Sequence, residues 1–263
     1  MVRTATLGYP RIGSRPALKR ALESYWRGAS TEQELEAVAR RVRREAWQVQ
    51  AAQGITDVPS NDFSLYDHVL DTACLVGAIP ERVRRLSEVE LDRYFLMARG
   101  RDRAGHECEA LELTKWLDTN YHYLVPELDS AVPFALTSDK PVREFREALE
   151  LGIETRPTLL GPVSFLLLSK DVGGADALGR LPELLAVYGE VLRRLKAAGA
   201  RWVQIDEPCL ALDLSAAEHA ALRQAYDTLG ARGDALPRLL LASYFAGLGD
   251  NAAVAFELPV AGV

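Results

Sequence analysis

The sequence predicts an α/β fold, a (β/α)8 TIM-like barrel truncated after about six strands, with a helical insertion. Three observations point to it. Short apolar runs alternate with helical patterns along most of the chain, as right-handed βαβ units around a parallel sheet require. The 263 residues are about what one such barrel uses as a single domain, so residues 1–263 are read as one unit. The run WVQIDEP at 202–208 is an apolar strand ending in charge, the pattern expected where a barrel strand reaches its C-terminal mouth.

RTATLG, from Arg3, is the first strand. The first helix follows, with Ser14 as N-cap, Pro16 in the first turn and a core stripe of Leu18, Leu22 and Tyr25; Gly28 ends it. Ser30 with Gln33 forms a capping box for a second helix, whose stripe is Leu35, Val38, Val42, Ala46 and Val49 before Gly54. Its RRVRREAW segment reads as a solvated basic face. ITDVP is the second strand. Helical patterns and loops then break the rhythm, marking an insertion at about 60–127. VPFALT, 132–137, is the third strand, before the helical VREFREALELG. TRPTLLGP precedes SFLLLSK, and LPELLAVYGEVLRRLKAAG is a periodic helix ending at Gly199. WVQIDEP, the helix AAEHAALRQAYDTLG and the strand PRLLLASYF complete the series. NAAVAFELPVAGV is a helix followed by the first residues of a seventh strand, so the barrel is expected to be incomplete at its C-terminus. An unclosed parallel sheet exposes strand edges, which implies strands from another chain or a fragment of a longer protein.

Composition narrows the function. Hydrophobic content of 48% with 26% charge is globular. The 31 Lys and Arg against 37 Asp and Glu, a net charge of -6, argue against nucleic acid or an anionic membrane as partner. Cys74, Cys108 and Cys209 contain no CxxC and suit a reducing cytosol. The N-terminus lacks the apolar core of a signal peptide, and no run approaches a membrane span, so a cytoplasmic protein is expected. Neither His106 with Cys108 nor His68 with Cys74 has the spacing of a closed zinc site, so no metal is expected in this chain.

Four stretches carry possible chemistry. Asp206 and Glu207, at the end of an apolar strand, can serve as a general base or hold an ammonium group at the barrel mouth. The alternative is that Asp206 caps the next turn and Glu207 faces water. NDFSLYDH offers Asp62, Tyr66, Asp67 and His68 to a polar pocket, or simply a helix start capped by Asp62 or Ser64. KWLDTNYHYLVPE sets Lys115 beside Trp116, Tyr121, His122 and Tyr123, which suits a flat ring with a negative tail, or a loop anchored by its aromatics. LGYPRIGSRPALKRALESYW, 7–26, crowds Arg11, Arg15, Lys19 and Arg20 into an acidic chain. Arg15 and Lys19 lie one helical turn apart at a helix start, whose N–H groups also favour anions.

These stretches, with YDHVL and LLGPVSFL, resemble in this order the N-terminal half of cobalamin-independent methionine synthases, from about Leu7 to the last residue. The resemblance implies two (β/α)8 barrels in the whole protein, of which this chain is the N-terminal one. It also implies transfer of a methyl group from 5-methyltetrahydropteroyl-polyglutamate to homocysteine. Zinc would sit in the C-terminal barrel, held there by His, Cys, Glu and Cys, with none in this chain. The family's folate contacts fall on Arg15, Pro16, Ala17, Leu18 and Lys19, and on Lys115; Pro16 and Ala17 depart from the basic residue and Glu often found there. The resemblance assigns Asp206 and Glu207 to the non-catalytic copy, with a structural role at the barrel mouth. The expected partners are the folate polyglutamate and a C-terminal barrel, no catalytic residue is expected here, and the chain alone is expected to be inactive. Two other classes stay open: a stand-alone folate-binding module that self-associates through its open sheet edge, and a separate enzyme using Asp206 and Glu207 as an acid–base pair.

Overall fold

The computed structural model describes residues 3–174 and 176–263. Eight strands and ten α-helices are assigned among the described residues. The strands are β1 Pro59–Ser60, β2 Leu113–Lys115, β3 His122–Leu124, β4 Glu127–Leu128, β5 Arg156–Leu160, β6 Lys170–Asp171, β7 Trp202–Asp206 and β8 Arg238–Ala242. The helices are α1 Ala17–Trp26, α2 Glu32–Ala52, α3 His68–Leu75, α4 Glu81–Arg84, α5 Glu90–Arg99, α6 Lys140–Leu149, α7 Pro162–Leu167, α8 Leu181–Ala197, α9 Ala216–Gly230 and α10 Ala252–Glu257.

The central sheet is parallel, in the order β1-β5-β7-β8. Its register sets Thr158 beside Gln204, Leu160 beside Asp206, and Asp206 beside Ala242. Single parallel bridges extend it at both edges, Ala5 to Asp57 and Leu240 to Gly262. The result is an open arc of barrel-like strands rather than a closed barrel. Helices α7, α8 and α9 cover its outer face. Val203 and Ile205 of β7 pack there against Leu184, Leu192, Leu222 and Tyr226, all at most 0% exposed. Each such side chain contributes roughly 1.5–3 kcal/mol by leaving water. A second core joins α1, α2, α3 and α5 through Leu18, Leu22, Leu35, Leu70 and Phe95.

Several local expectations are corrected. VPFALT is not a strand: the amides of Ala135 and Thr137 donate to the carbonyls of Val76 and Leu75, at the end of α3. An apolar run there serves as a strap across a helix terminus, and the excursion from the central sheet runs from β1 to α6. The capping box of α2 is Thr31 with Glu34, one residue beyond the expected pair. Its buried stripe is Leu35, Ala39, Val42, Arg43, Trp47 and Gln50, while Val49 is exposed. Arg43 therefore leaves the solvated basic face and enters the interior, where Glu36, Glu144 and Glu147 surround it. Helix α1 begins at Ala17 with no side-chain cap, so Ser14 caps only through its carbonyl, which accepts from Ala17 N–H. The Leu18 amide donates to Ile12 O. Two of the N–H groups expected to receive an anion are thus already satisfied within the chain.

Candidate functional site

The inward face of the arc is polar. On β5 and β7 the Arg156 guanidinium donates to Gln204 Oε1 at 2.6 Å, and Gln204 Nε2 donates to Asp206 Oδ1 at 2.6 Å. Barrel interiors are usually packed by branched aliphatic side chains, so this row marks a floor rather than a core. It leads to a cavity of about 530 Å³ at the C-terminal ends of the strands. Asp206, Thr158, Asn61 and Lys140 form its polar side, and Trp116, Tyr121 and Phe245 its aromatic side.

Asp206 accepts from Gln204 and from the Tyr244 hydroxyl, but burial dominates and pushes its carboxyl up to about 7. The sign of the resulting pH dependence follows. A folded-state value above that of the unfolded chain stabilises the fold fully below about pH 4, and that stabilisation is lost as pH rises through about 7. Asp206→Asn removes this titration. Its stability relative to the parent should therefore rise by about 2 kcal/mol between about pH 5.5 and pH 8.5. Urea midpoints at the two pH values check this, and an unchanged difference would contradict it.

Glu207 does not face the mouth, contrary to the paired-carboxylate expectation. It is 0% exposed and accepts from Val163 N–H at 3.2 Å, Ser164 N–H at 2.7 Å and the Tyr226 hydroxyl at 3.2 Å. It thus supplies the acceptors that the first turn of α7 lacks. Burial raises its carboxyl above the usual range. The acid–base pair is lost with it, because its two members point to different environments.

NDFSLYDH proves to be site-lining rather than a simple cap. The cap of α3 is Asp67, which accepts from Val69 and Leu70 N–H at 2.8 and 2.9 Å, while its other oxygen accepts from Leu124 N–H. Asp62 accepts from Tyr9 N–H at 2.8 Å, and Ser64 donates to Asp71. Burial pushes the carboxyls of Asp62 and Asp67 up to about 6, and the His68 imidazole down to about 4, so His68 is neutral at pH 7. The His68 ring lies 4.7 Å from that of Trp116. Trp116 and Tyr121 each approach Phe245, at 6.3 and 6.4 Å.

Other contributors carried little signal in the sequence. Lys140 Nζ donates to Asn61 Oδ1 at 2.9 Å and Phe63 O at 2.7 Å, and lies 3.2 Å from Glu144 and 3.3 Å from Asp71. Burial alone would lower its ammonium, but Glu144 and Asp71 hold it above its ordinary value. Thr158 sits in the middle of β5 and Tyr244 and Phe245 just beyond β8, in unremarkable local sequence, legible only once barrel register is known. Among the cations of the opening stretch, Arg11 reaches the cavity and donates to Ser64 O at 3.1 Å.

The positions expected to contact folate lie elsewhere. Arg15, Pro16 and Lys19 are exposed at the start of α1, with Ala17 half-buried and the Leu18 side chain in the core. Lys19 faces Glu23 at 4.0 Å. Lys115 is exposed on β2, paired across the hairpin with His122. None of the six lines the cavity, although Lys115 immediately precedes Trp116, which does. Among the described residues no group of three or more His, Cys, Asp or Glu side chains is placed to hold a metal ion. His106 instead pairs with Asp102 at 2.6 Å. No helix among the described residues is long and apolar enough to cross a membrane.

Comparison with known proteins adds the family. Residues 3–263 match the pattern described as "Cobalamin-independent synthase, N-terminal domain". A 5-methyltetrahydropteroyltriglutamate–homocysteine methyltransferase of Xylella fastidiosa is 56% identical over 266 residues, covering 100% of this chain and 35% of that protein. One from Chelativorans sp. is 56% identical over 269 residues, covering 98% of this chain and 35% of its own length. The chain thus spans about a third of the curated relatives it matches. In fold it is similar to a putative vitamin-B12-independent methionine synthase from Listeria monocytogenes, with TM-score 0.58 and 12% identity over 92% of this chain and 65% of that one. A B12-independent methionine synthase from Shewanella aligns with TM-score 0.51 and 16% identity over 81% of this chain and 53% of that one.

Proposed function

Because the chain belongs to the cobalamin-independent methionine synthase family, we propose that it is the N-terminal part of a methyltransferase moving a methyl group from 5-methyltetrahydropteroyl-polyglutamate to homocysteine. In this reading the chain supplies folate binding and scaffold, its partner is the C-terminal barrel of the longer protein, and it transfers no methyl group alone. The observation that carries it is identity of 56% over the full length of this chain but 35% of the relative.

The residues assigned to the folate tail are Arg15, Pro16, Ala17, Leu18, Lys19 and Lys115. Their environments divide the work. The Arg15, Lys19 and Lys115 side chains are exposed and can pair with successive tail carboxylates; Arg15 offers two parallel donors to one of them. Leu18 holds the helix start in place by burial, and Pro16 and Ala17 shape the turn. Among the described residues no group of His, Cys, Asp or Glu offers a ligand set for zinc, whose chemistry would be to present homocysteine as a thiolate.

A methyl-transfer assay tests the reading. The purified chain with zinc, homocysteine and 5-methyltetrahydropteroyl-triglutamate is expected to form no methionine above the enzyme-free background. Turnover by the chain alone would overturn it.

A further inference from the structure

We propose that residues 7–11 form a lid that swings over the cavity, its apolar side chains closing onto the aromatic wall opposite. The inference concerns access to the cavity and holds whether or not the tail reading stands. Both feet of the segment are fixed. On one side the Thr4 carbonyl accepts from the amides of Thr56 and Asp57, and Arg156 donates to Thr6 O at 2.9 Å. On the other, Leu18 N–H donates to Ile12 O, and Gly13 lies so close to α2 that a Cβ on it would stand 2.9 Å from Val42 Cγ2. Every residue between the feet is exposed. Among the described residues two hydrogen bonds hold that span, from Tyr9 N–H to Asp62 at 2.8 Å and from the Arg11 guanidinium to Ser64 O at 3.1 Å. Both acceptors lie on one short stretch of chain, so the span can lift from it as a unit. Few contacts and a solvent-exposed backbone put a segment at the low-stability end of a structure. Gly8, which rests on Asp62, has no side chain to resist rotation and serves as the hinge.

The direction of the swing follows from what the present position leaves in water. Leu7 is 55% and Tyr9 39% exposed, while on the aromatic side of the cavity Tyr121 is 72% and Phe245 46% exposed. Leu7 and Gly8 line the cavity near Asp62, and Tyr121 and Phe245 line it with rings 6.4 Å apart. Bringing Leu7 and Tyr9 onto those rings removes apolar surface of both partners from water and adds aromatic contacts. The two tethers oppose this movement, because each must break for the span to leave Asp62 and Ser64. Open and closed positions are thus two states of one segment, with the tethers favouring the first and apolar burial the second. Closure would exclude water from the cavity, the ordinary use of such a lid.

Double electron–electron resonance on the full chain tests the proposal. Nitroxides are placed on Pro10→Cys and Asn120→Cys, exposed positions outside the proposed contact, in a Cys108→Ser background; Cys74 and Cys209 are buried. Two distances are expected, the shorter one belonging to the closed lid. Arg11→Ala and Asp62→Ala, which each remove a tether, should raise the shorter population about threefold or more, and Tyr121→Ser should lower it. Thermal melts check that the variants fold, and Arg11→Ala, at an exposed side chain, decides the matter if Asp62→Ala does not. A single distance in every variant would overturn the proposal. So would a broad distribution in Arg11→Ala with no shorter component, which describes a frayed loop, or a shorter population indifferent to Tyr121→Ser.

Discussion

Gly161→Ala should destabilise the chain by more than about 3 kcal/mol, read as a large fall in the urea midpoint. Gly161 precedes α7, and a Cβ there would lie 2.0 Å from Glu207 Cδ and 2.3 Å from its Oε1. Glu207 cannot step aside. It is fully buried, and its carboxylate receives Val163 N–H, Ser164 N–H and the Tyr226 hydroxyl, all of which would lose their acceptor. Each buried polar group left unpaired costs roughly 1–3 kcal/mol. Gly189 is the control. A Cβ there would meet Arg232 Nη1 at 2.1 Å, but that is the far end of a flexible, half-buried side chain. Gly189→Ala should therefore stay within about 1 kcal/mol of the parent, helped by the helix propensity of alanine. Equal midpoint shifts for the two variants would refute the argument.

Arg43→Ala is expected to cost about 3–5 kcal/mol, because it strips the partner from Glu144 and Glu147, the carboxylates of its set that are held inside the protein. Arg43 is 4% exposed and bonds Glu147 at 2.7 Å and Glu36 at 2.8 Å, with Glu144 3.8 Å away. Glu144 is 1% exposed and keeps Lys140 as its remaining cation. The Coulomb attraction of these carboxylates outweighs the desolvation of Arg43 and holds its guanidinium above its ordinary value. A double-mutant cycle of Arg43→Ala with Glu147→Ala should give a coupling of at least about 1 kcal/mol. Additive losses would show that the pair matters only through packing.

The two predictions turn on Glu207 and Arg43, both of which the sequence misread, for a common reason. Local pattern reports which residues are apolar and how they repeat, but not where a side chain turns after its strand ends. The strands around Leu159, Ile205 and Leu241 were legible because continuous apolar runs have few other uses, and the same holds for the long stripe of α8. Asp206 and Glu207 are adjacent and chemically alike, yet one reaches the mouth and the other caps α7. Room for the Glu207 carboxylate is left by Gly161, distant in sequence but its neighbour in space. Arg43 looked like one cation among four in RRVRREAW, and its burial depends on carboxylates supplied by α6. VPFALT had strand composition, but its amides found helix-end carbonyls before any strand. The aromatic wall was half visible: Trp116, Tyr121 and Tyr123 share one stretch, whereas Phe245 arrives from the far end of β8.

The central claim, that this chain holds the folate's polyglutamate tail for a methyltransferase, is tested most directly by calorimetric titration of 5-methyltetrahydropteroyl-triglutamate against its monoglutamate form at low and moderate salt. The expected result is tighter binding of the triglutamate, weakening about fivefold or more as salt rises from about 50 to about 200 mM and falling again in Arg15→Ala and Lys115→Ala, because screening acts on exposed cations pairing with several carboxylates. Equal affinity for the two forms, insensitive to salt and to both substitutions, would contradict it.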